Sequence, residues 1–148
     1  MALNFEKHVA KGNKFVKEVS EYLGDVNRDK AGRIMKAVLH SLRDILTVEE
    51  SLHLIAQLPL VIKGVYVDNW KISGTPRRIR SMEDFCDDIR HISGLTADED
   101  FPTKEDCLDA VHAVFSVIKD TVSEGEIEDI RAIMPKELKE LWDEHVYR

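Results

Sequence analysis

The sequence contains little that would interrupt or cross-link a small helical protein. Only four of its 148 residues are Pro and seven are Gly, so long helices meet few breaks. The two cysteines, Cys86 and Cys107, are too few for a disulfide scaffold, and in a cytosolic chain we expect free thiols. The longest apolar run, residues 58–62, includes Pro59 and is far shorter than the roughly 20 residues that span a bilayer. With 43% hydrophobic and 33% charged residues, the composition excludes a disordered chain and indicates a globular, helix-rich protein.

Sequence motifs of several enzyme classes are absent as well. The two closest glycines are eight residues apart, which excludes P-loop and dinucleotide-binding fingerprints. No G-x-S-x-G sequence is present, which excludes a nucleophile elbow. Near the N-terminus, Asn4, Glu6 and Lys7 interrupt the apolar stretch that a signal peptide needs, so we expect a cytoplasmic protein. The sequence therefore predicts no cofactor and no catalytic residues, and it favours a non-enzymatic protein.

What the sequence does contain is an internal similarity. When the chain is shifted by 76 residues, identical residues coincide at six positions. These pairs are Ala37/Ala113, Val38/Val114, Asp44/Asp120, Glu50/Glu126, Ala56/Ala132 and Pro59/Pro135. Closer to the N-terminus the offset is 70 residues, pairing Phe15 and Gly24 with Phe85 and Gly94. The second copy therefore has six extra residues near positions 95–104, which we expect to form a loop.

Both copies carry matching signals for the start of a helix. Thr47 and Glu50 form one capping box, and Ser123 and Glu126 form the other. Twelve residues after each cap stands a proline that favours the start of the next helix. Two further N-caps are predicted at Ser81 and Thr103. These signals predict four helices in each copy.

One segment is ambiguous in its local pattern. Residues 60–67 are rich in β-branched side chains and could form a strand. We predict a helix because the counterpart, residues 136–145, has a helical pattern. The fold class is therefore predicted as all-α, a tandem repeat of two similar four-helix units packed into one helical bundle.

Charge is unevenly divided along the chain. Residues 1–70 carry ten Lys and Arg against nine Asp and Glu, whereas residues 71–148 carry eleven against nineteen. We predict a first helical repeat over 1–69, a basic connector over 70–81 and a second repeat over 82–148, all sharing one continuous core. The cations of the connector could contact nucleic acid or an acidic partner: Lys71, Arg77, Arg78 and Arg80. The alternative, which we favour, is a solvated linker or one folded against the acidic second repeat.

Glu50 and His53 have the E-x-x-H spacing with which helical bundles hold metal ions. On a helical wheel, however, both lie opposite Leu52 and Ile55 and so face away from the core. A metal ion would also need ligands from a facing element. We therefore predict no metal site and expect these histidines, together with His40 and His112, at the surface.

The apolar segment 60–67 and the tryptophans are the candidates for a contact surface with another protein. The predicted partner-binding residues are Leu60, Val61, Tyr66, Trp70 and Trp142. Tyr66 and Trp142 are counterparts at the 76-residue offset, and we expect them as core or interface anchors.

Three runs resemble a known bacterial family, called domain of unknown function 2267. They are RDKAGRIMKAVLHSLRD at 28–44, LTVEESLHLIAQLP at 46–59 and VSEGEIEDIRAIMPKELKELW at 122–142. The resemblance extends from Phe5 to Trp142 and implies an all-α tandem repeat in a bacterial cytosolic protein. It implies no activity, because the family has no assigned catalytic residues. The sequence departs from the family pattern at Met134, where Leu is usual, and at residues 60–62, which replace a charged helix start.

Taken together, these features predict a non-enzymatic helical protein-interaction module of a bacterial cytosol. Its partner is another protein or a second copy of the chain, and no membrane is involved. One alternative is a protein that associates weakly with nucleic acid through the basic connector. The other alternative is a metal-binding protein or an enzyme of unrecognised class.

Overall fold

The computed structural model describes residues 3–144, which fold into α-helices joined by turns and one longer connector. In chain order the helices are α1 (Phe5–Tyr22), α2 (Arg28–Ile45), α3 (Val48–Gln57), α4 (Leu60–Val67), α5 (Met82–Ser93), α6 (Ala97–Asp100), α7 (Lys104–Thr121), α8 (Glu124–Ala132) and α9 (Lys136–Asp143). A 3₁₀ turn, Gly94–Thr96, lies between α5 and α6. The prediction of an all-α fold is confirmed, and the ambiguous segment 60–67 is a helix.

The predicted N-caps begin their helices. The side chain of Thr47 accepts a hydrogen bond of 3.1 Å from the amide of Glu50, and Ser123 accepts one of 3.3 Å from the amide of Glu126. Ser81 caps α5 in the same way, as does Thr103 for α7. These hydrogen bonds satisfy amides that have no partner within the first turn, so they determine where each helix begins.

Helix bounds in the second half follow those of the first half at the 76-residue offset. The offset holds at both ends for α2 and α7 and for α4 and α9, and at the first residue for α3 and α8. A tertiary contact follows it as well. Arg43 donates a hydrogen bond of 2.6 Å to the carbonyl oxygen of Tyr66, and Lys119 donates one to the carbonyl oxygen of Trp142. In each half a cation on the long helix therefore binds the end of the last helix, where carbonyl groups lack partners within the helix.

The inserted residues of the second half do not form the loop that the sequence predicts. They contain the 3₁₀ turn and α6, and they are attached to α2 because Arg33 donates two hydrogen bonds of 2.9 Å to Asp100. Asp100 and Phe101 are both buried. A bidentate ion pair and a buried aromatic ring thus hold the insertion against the first half.

The buried apolar side chains of both halves belong to one contiguous cluster. Helix α2 contacts α1 and α4 from its own half and α5 and α7 from the other half. In the second half the rings of Phe115 and Trp142 lie 5.0 Å apart between centroids. The two halves also meet where α3 contacts α8, and we call this contact the α3/α8 seam.

The two cysteines are joined, in contrast to the expectation of free thiols. Cys86 on α5 and Cys107 on α7 form a disulfide, with their Cα atoms 6.1 Å apart. Both side chains are buried where α5 packs against α7. The expectation is wrong because it considered the redox compartment and not the helix packing, which brings the two residues together.

Two histidines that the sequence places at the surface are buried. The Nε2 atom of His40 lies 2.7 Å from the carbonyl oxygen of Val65, at the end of α4. The Nε2 atom of His112 lies 3.3 Å from the carbonyl oxygen of Glu144, after the end of α9. Their burial has a physical reason: each imidazole satisfies a carbonyl group that the helix end leaves without a partner.

Candidate functional site

The residues predicted to bind a partner separate into exposed and buried ones. Tyr66 and Trp142 are 0% and 1% exposed, so they are core residues and are not available to a partner. Trp70 is half-buried, with its ring edge-on to that of Tyr66 at 6.1 Å between centroids. Leu60 and Val61 are exposed, at 43% and 41%. A partner would therefore reach this segment through the first turn of α4.

Exposed apolar side chains also lie on the neighbouring helix α1. Phe5 and Val9 are 65% and 50% exposed. Gly12 is on the same face of α1, because residues at this spacing share one side of a helix. A Cβ atom added to Gly12 would lie 3.0 Å from the Cβ atom of Val61, so this face of α1 is the one that packs on α4. Phe5, Val9, Val61 and the adjoining Leu60 form what we call the α1/α4 strip.

The basic connector is folded against the helices. Arg77 forms an ion pair of 2.5 Å with Asp88 on α5, and its amide donates to the carbonyl oxygen of Asp44 on α2. The other cations of the connector are exposed: Lys71, Arg78 and Arg80. Nucleic-acid binding by the connector stays a prediction, and Arg77 is already engaged with the acidic half of the chain.

Helix α3 is rotated relative to the orientation that its hydrophobic pattern predicts. Ser51 and Leu54 are fully buried, whereas Leu52 is 55% exposed. The burial of Ser51 is explained by a hydrogen bond of 2.7 Å between its hydroxyl group and that of Tyr66. A buried polar partner thus moves the core-facing side of α3 away from Leu52.

The polar face of α3 does not point into solvent along its whole length, because it meets α8. Gln57 accepts a hydrogen bond of 2.6 Å from the amide of Ser123 across the α3/α8 seam. Glu50 and His53 lie on the same face of α3 and approach Glu126 of α8. The prediction that this face lies away from the protein is wrong, since a wheel shows which face is polar but not which helix packs on it.

Glu50, His53 and Glu126 form a compact cluster in the seam. One side-chain N or O atom from each lies within 4.8 Å of the other two, and Nδ1 of His53 is 3.9 Å from Oε2 of Glu50. Glu126 is 5% exposed, while the side chain of His53 is 54% exposed. The Oε1 atoms of Glu50 and Glu126 are buried without a hydrogen-bond partner. The cluster is therefore closed at Glu126 and open to solvent at His53.

Glu126 has an unusual acidity for a glutamate. Burial, followed by the neighbouring Glu50 carboxyl group, raises the pKa of Glu126 to about 8. The charge of Asp129 acts in the same direction. Near neutral pH, Glu126 therefore holds a proton that it can donate to Glu50. The arrangement can accept positive charge, either as a proton or as a cation.

The sequence contains a signal that could have located part of this cluster. Glu50 and Glu126 are identical residues at the 76-residue offset, and each is the third residue of its helix. Because the halves meet through α3 and α8, equivalent positions come close together. His53 has no identical counterpart, since Asp129 stands at the corresponding position. Which of the matching pairs would meet could not be read from the offset alone.

Comparisons with known proteins place the chain in a family without adding an activity. Among the helices of residues 3–144, none is long and apolar enough to cross a membrane. No curated protein matches the sequence. A family model described as "Uncharacterized conserved protein (DUF2267)" matches residues 12–141, which confirms the resemblance seen in the sequence. The chain belongs to the DUF2267 family.

Proposed function

We propose that the protein is a non-enzymatic helical module of the bacterial cytosol that functions by binding another protein chain through the α1/α4 strip. The observation that carries this proposal is the exposure of Phe5 and Val9 on the face of α1 that packs on α4. Beyond Gly12 the same face enters the core at Phe15 and Val19. An apolar face that continues from the core to the surface is typical of a protein-binding site.

A second copy of the chain is the partner that we propose. The residues of the strip are uncharged, and such a surface can pack on an identical surface across a two-fold axis. In that arrangement Phe5 and Val9 of each copy would be covered by the strip of the other. Burial of one exposed Val or Phe side chain contributes about 1.5–3 kcal/mol, so a few such residues can drive association.

The test is the oligomeric state of the full chain, measured by size-exclusion chromatography with light scattering over a range of concentrations. We expect a dimer whose population grows with concentration. Val9→Glu places a charge in the strip at a half-exposed position and should give a monomer with unchanged circular dichroism. Leu95→Glu is the matched control, because Leu95 is fully exposed and lies on the 3₁₀ turn, outside the strip. A wild-type protein that is monomeric at all concentrations, or a Val9→Glu dimer, would contradict the proposal.

A further inference from the structure

The α3/α8 seam holds three different groups that can each donate a lone pair to a metal ion. Glu50 and His53 lie one turn apart on α3, and Glu126 lies across the seam on α8. Each contributes an atom within 4.8 Å of the others. Around an ion with ligand distances of about 2.0–2.2 Å, two ligand atoms lie roughly 3–4 Å apart. The observed separations reach that range with small rotations of side chains.

Glu126 provides the second, independent observation at this cluster. It is 95% buried by its exposure of 5%, and its Oε1 atom has no hydrogen-bond partner. The Oε1 atom of Glu50 is also buried without one. Buried polar atoms are nearly always paired, because an unpaired one loses its hydration without compensation. Two such atoms in one cluster indicate that the protein is built to hold a positively charged group there.

We propose that Glu50, His53 and Glu126 bind one divalent transition-metal ion in the α3/α8 seam. Two carboxylates neutralise the charge of the ion, which removes the repulsion between the two glutamates. The imidazole of His53 favours Zn²⁺ or Mn²⁺ over Mg²⁺ and Ca²⁺, which prefer sites made of oxygen atoms alone. Because His53 is half exposed, water completes the coordination on that side.

The bound ion would connect the two halves of the chain. Its ligands come from α3 in the first half and from α8 in the second, next to the hydrogen bond between Gln57 and Ser123. A ligand that binds only the folded protein raises its stability by mass action. Metal binding should therefore be visible as thermal stabilisation as well as in a direct binding measurement.

The experiment uses tag-free full-length protein that has been treated with a chelator and then dialysed. Titration calorimetry with Zn²⁺, Mn²⁺ and Mg²⁺ at neutral pH measures binding, and a thermal melt measures stabilisation. We expect one Zn²⁺ or Mn²⁺ ion per chain, an increase in melting temperature, and no response to the same concentration of Mg²⁺. Glu126→Gln and His53→Ala should each weaken binding by about tenfold or more, since each removes a ligand.

His91→Ala is the matched control for the loss of an imidazole. His91 is exposed on α5 and also follows a carboxylate, Asp88, by three residues. This variant should bind the ion as the wild-type protein does. His53→Ala alters an exposed side chain and should stay folded, so it tests the site even if Glu126→Gln destabilises the protein. Wild-type protein that binds neither Zn²⁺ nor Mn²⁺, or binding that survives both substitutions, would overturn the proposal.

Discussion

The hydroxyl groups of Ser51 and Tyr66 form a hydrogen bond of 2.7 Å that is fully buried between α3 and α4. Tyr66→Phe keeps the ring but leaves the Ser51 hydroxyl without its partner. Such a loss costs about 1–3 kcal/mol of unfolding free energy. Urea denaturation followed by circular dichroism measures it. In Tyr22→Phe the lost hydrogen bond, to Asp120, is exposed, and this control should change stability by less.

Gly12 and Gly32 should respond in opposite directions to substitution by Ala. Both lie inside helices, where Ala is favoured over Gly by about 1 kcal/mol. At Gly32 no atom lies within 4 Å of the added Cβ, so Gly32→Ala should raise the melting temperature. At Gly12 the added Cβ lies 3.0 Å from the Cβ of Val61, and overpacking of this kind costs about 1–3 kcal/mol. A Gly12→Ala variant as stable as Gly32→Ala would show that α1 and α4 are not packed so closely.

Acidification should destabilise the protein through His40. Burial is the main cause that lowers the pKa of His40 below its ordinary value of 6.5, so the folded state keeps the imidazole neutral where the unfolded chain binds a proton. The stability from this group is therefore present above pH 6.5 and is lost as the pH falls through the pKa of the folded state. Unfolding free energies measured between pH 7.5 and 5.5 should decrease in the wild-type protein, since the approximate pKa of an unperturbed His lies in that interval. In His40→Gln the decrease should be smaller, and an unchanged pH dependence would show that another group causes it.

Reduction of the disulfide should lower stability without changing the fold. Cys86 and Cys107 are 21 residues apart in sequence, and a cross-link over a loop of this length stabilises a protein by about 3 kcal/mol in the chain-entropy model. Urea denaturation with and without a phosphine reductant measures the difference. The variant with both cysteines replaced by Ala should be insensitive to the reductant. If the wild-type protein is equally insensitive, the disulfide does not contribute to its stability.

Much of the helical structure could be predicted from the sequence, because helix starts depend on residues close together in the chain. The hydroxyl of Thr47 binds the amide three residues later, and the same holds for Ser123. The 76-residue offset also carried the assignment of residues 60–67 as a helix, against their β-branched composition. These features belong to the chain itself and need no knowledge of what packs against it.

The tertiary structure alone decided which polar side chains become buried and which residues meet. His40 is buried because the end of α4 presents a carbonyl group to it, and Cys86 meets Cys107 because α5 packs on α7. Glu50 and His53 are polar and periodic in a way that predicts exposure, yet α8 brings Glu126 to them. A hydrophobic pattern records how one helix divides into polar and apolar faces. It does not record which element covers each face, because that depends on contacts between residues far apart in the sequence.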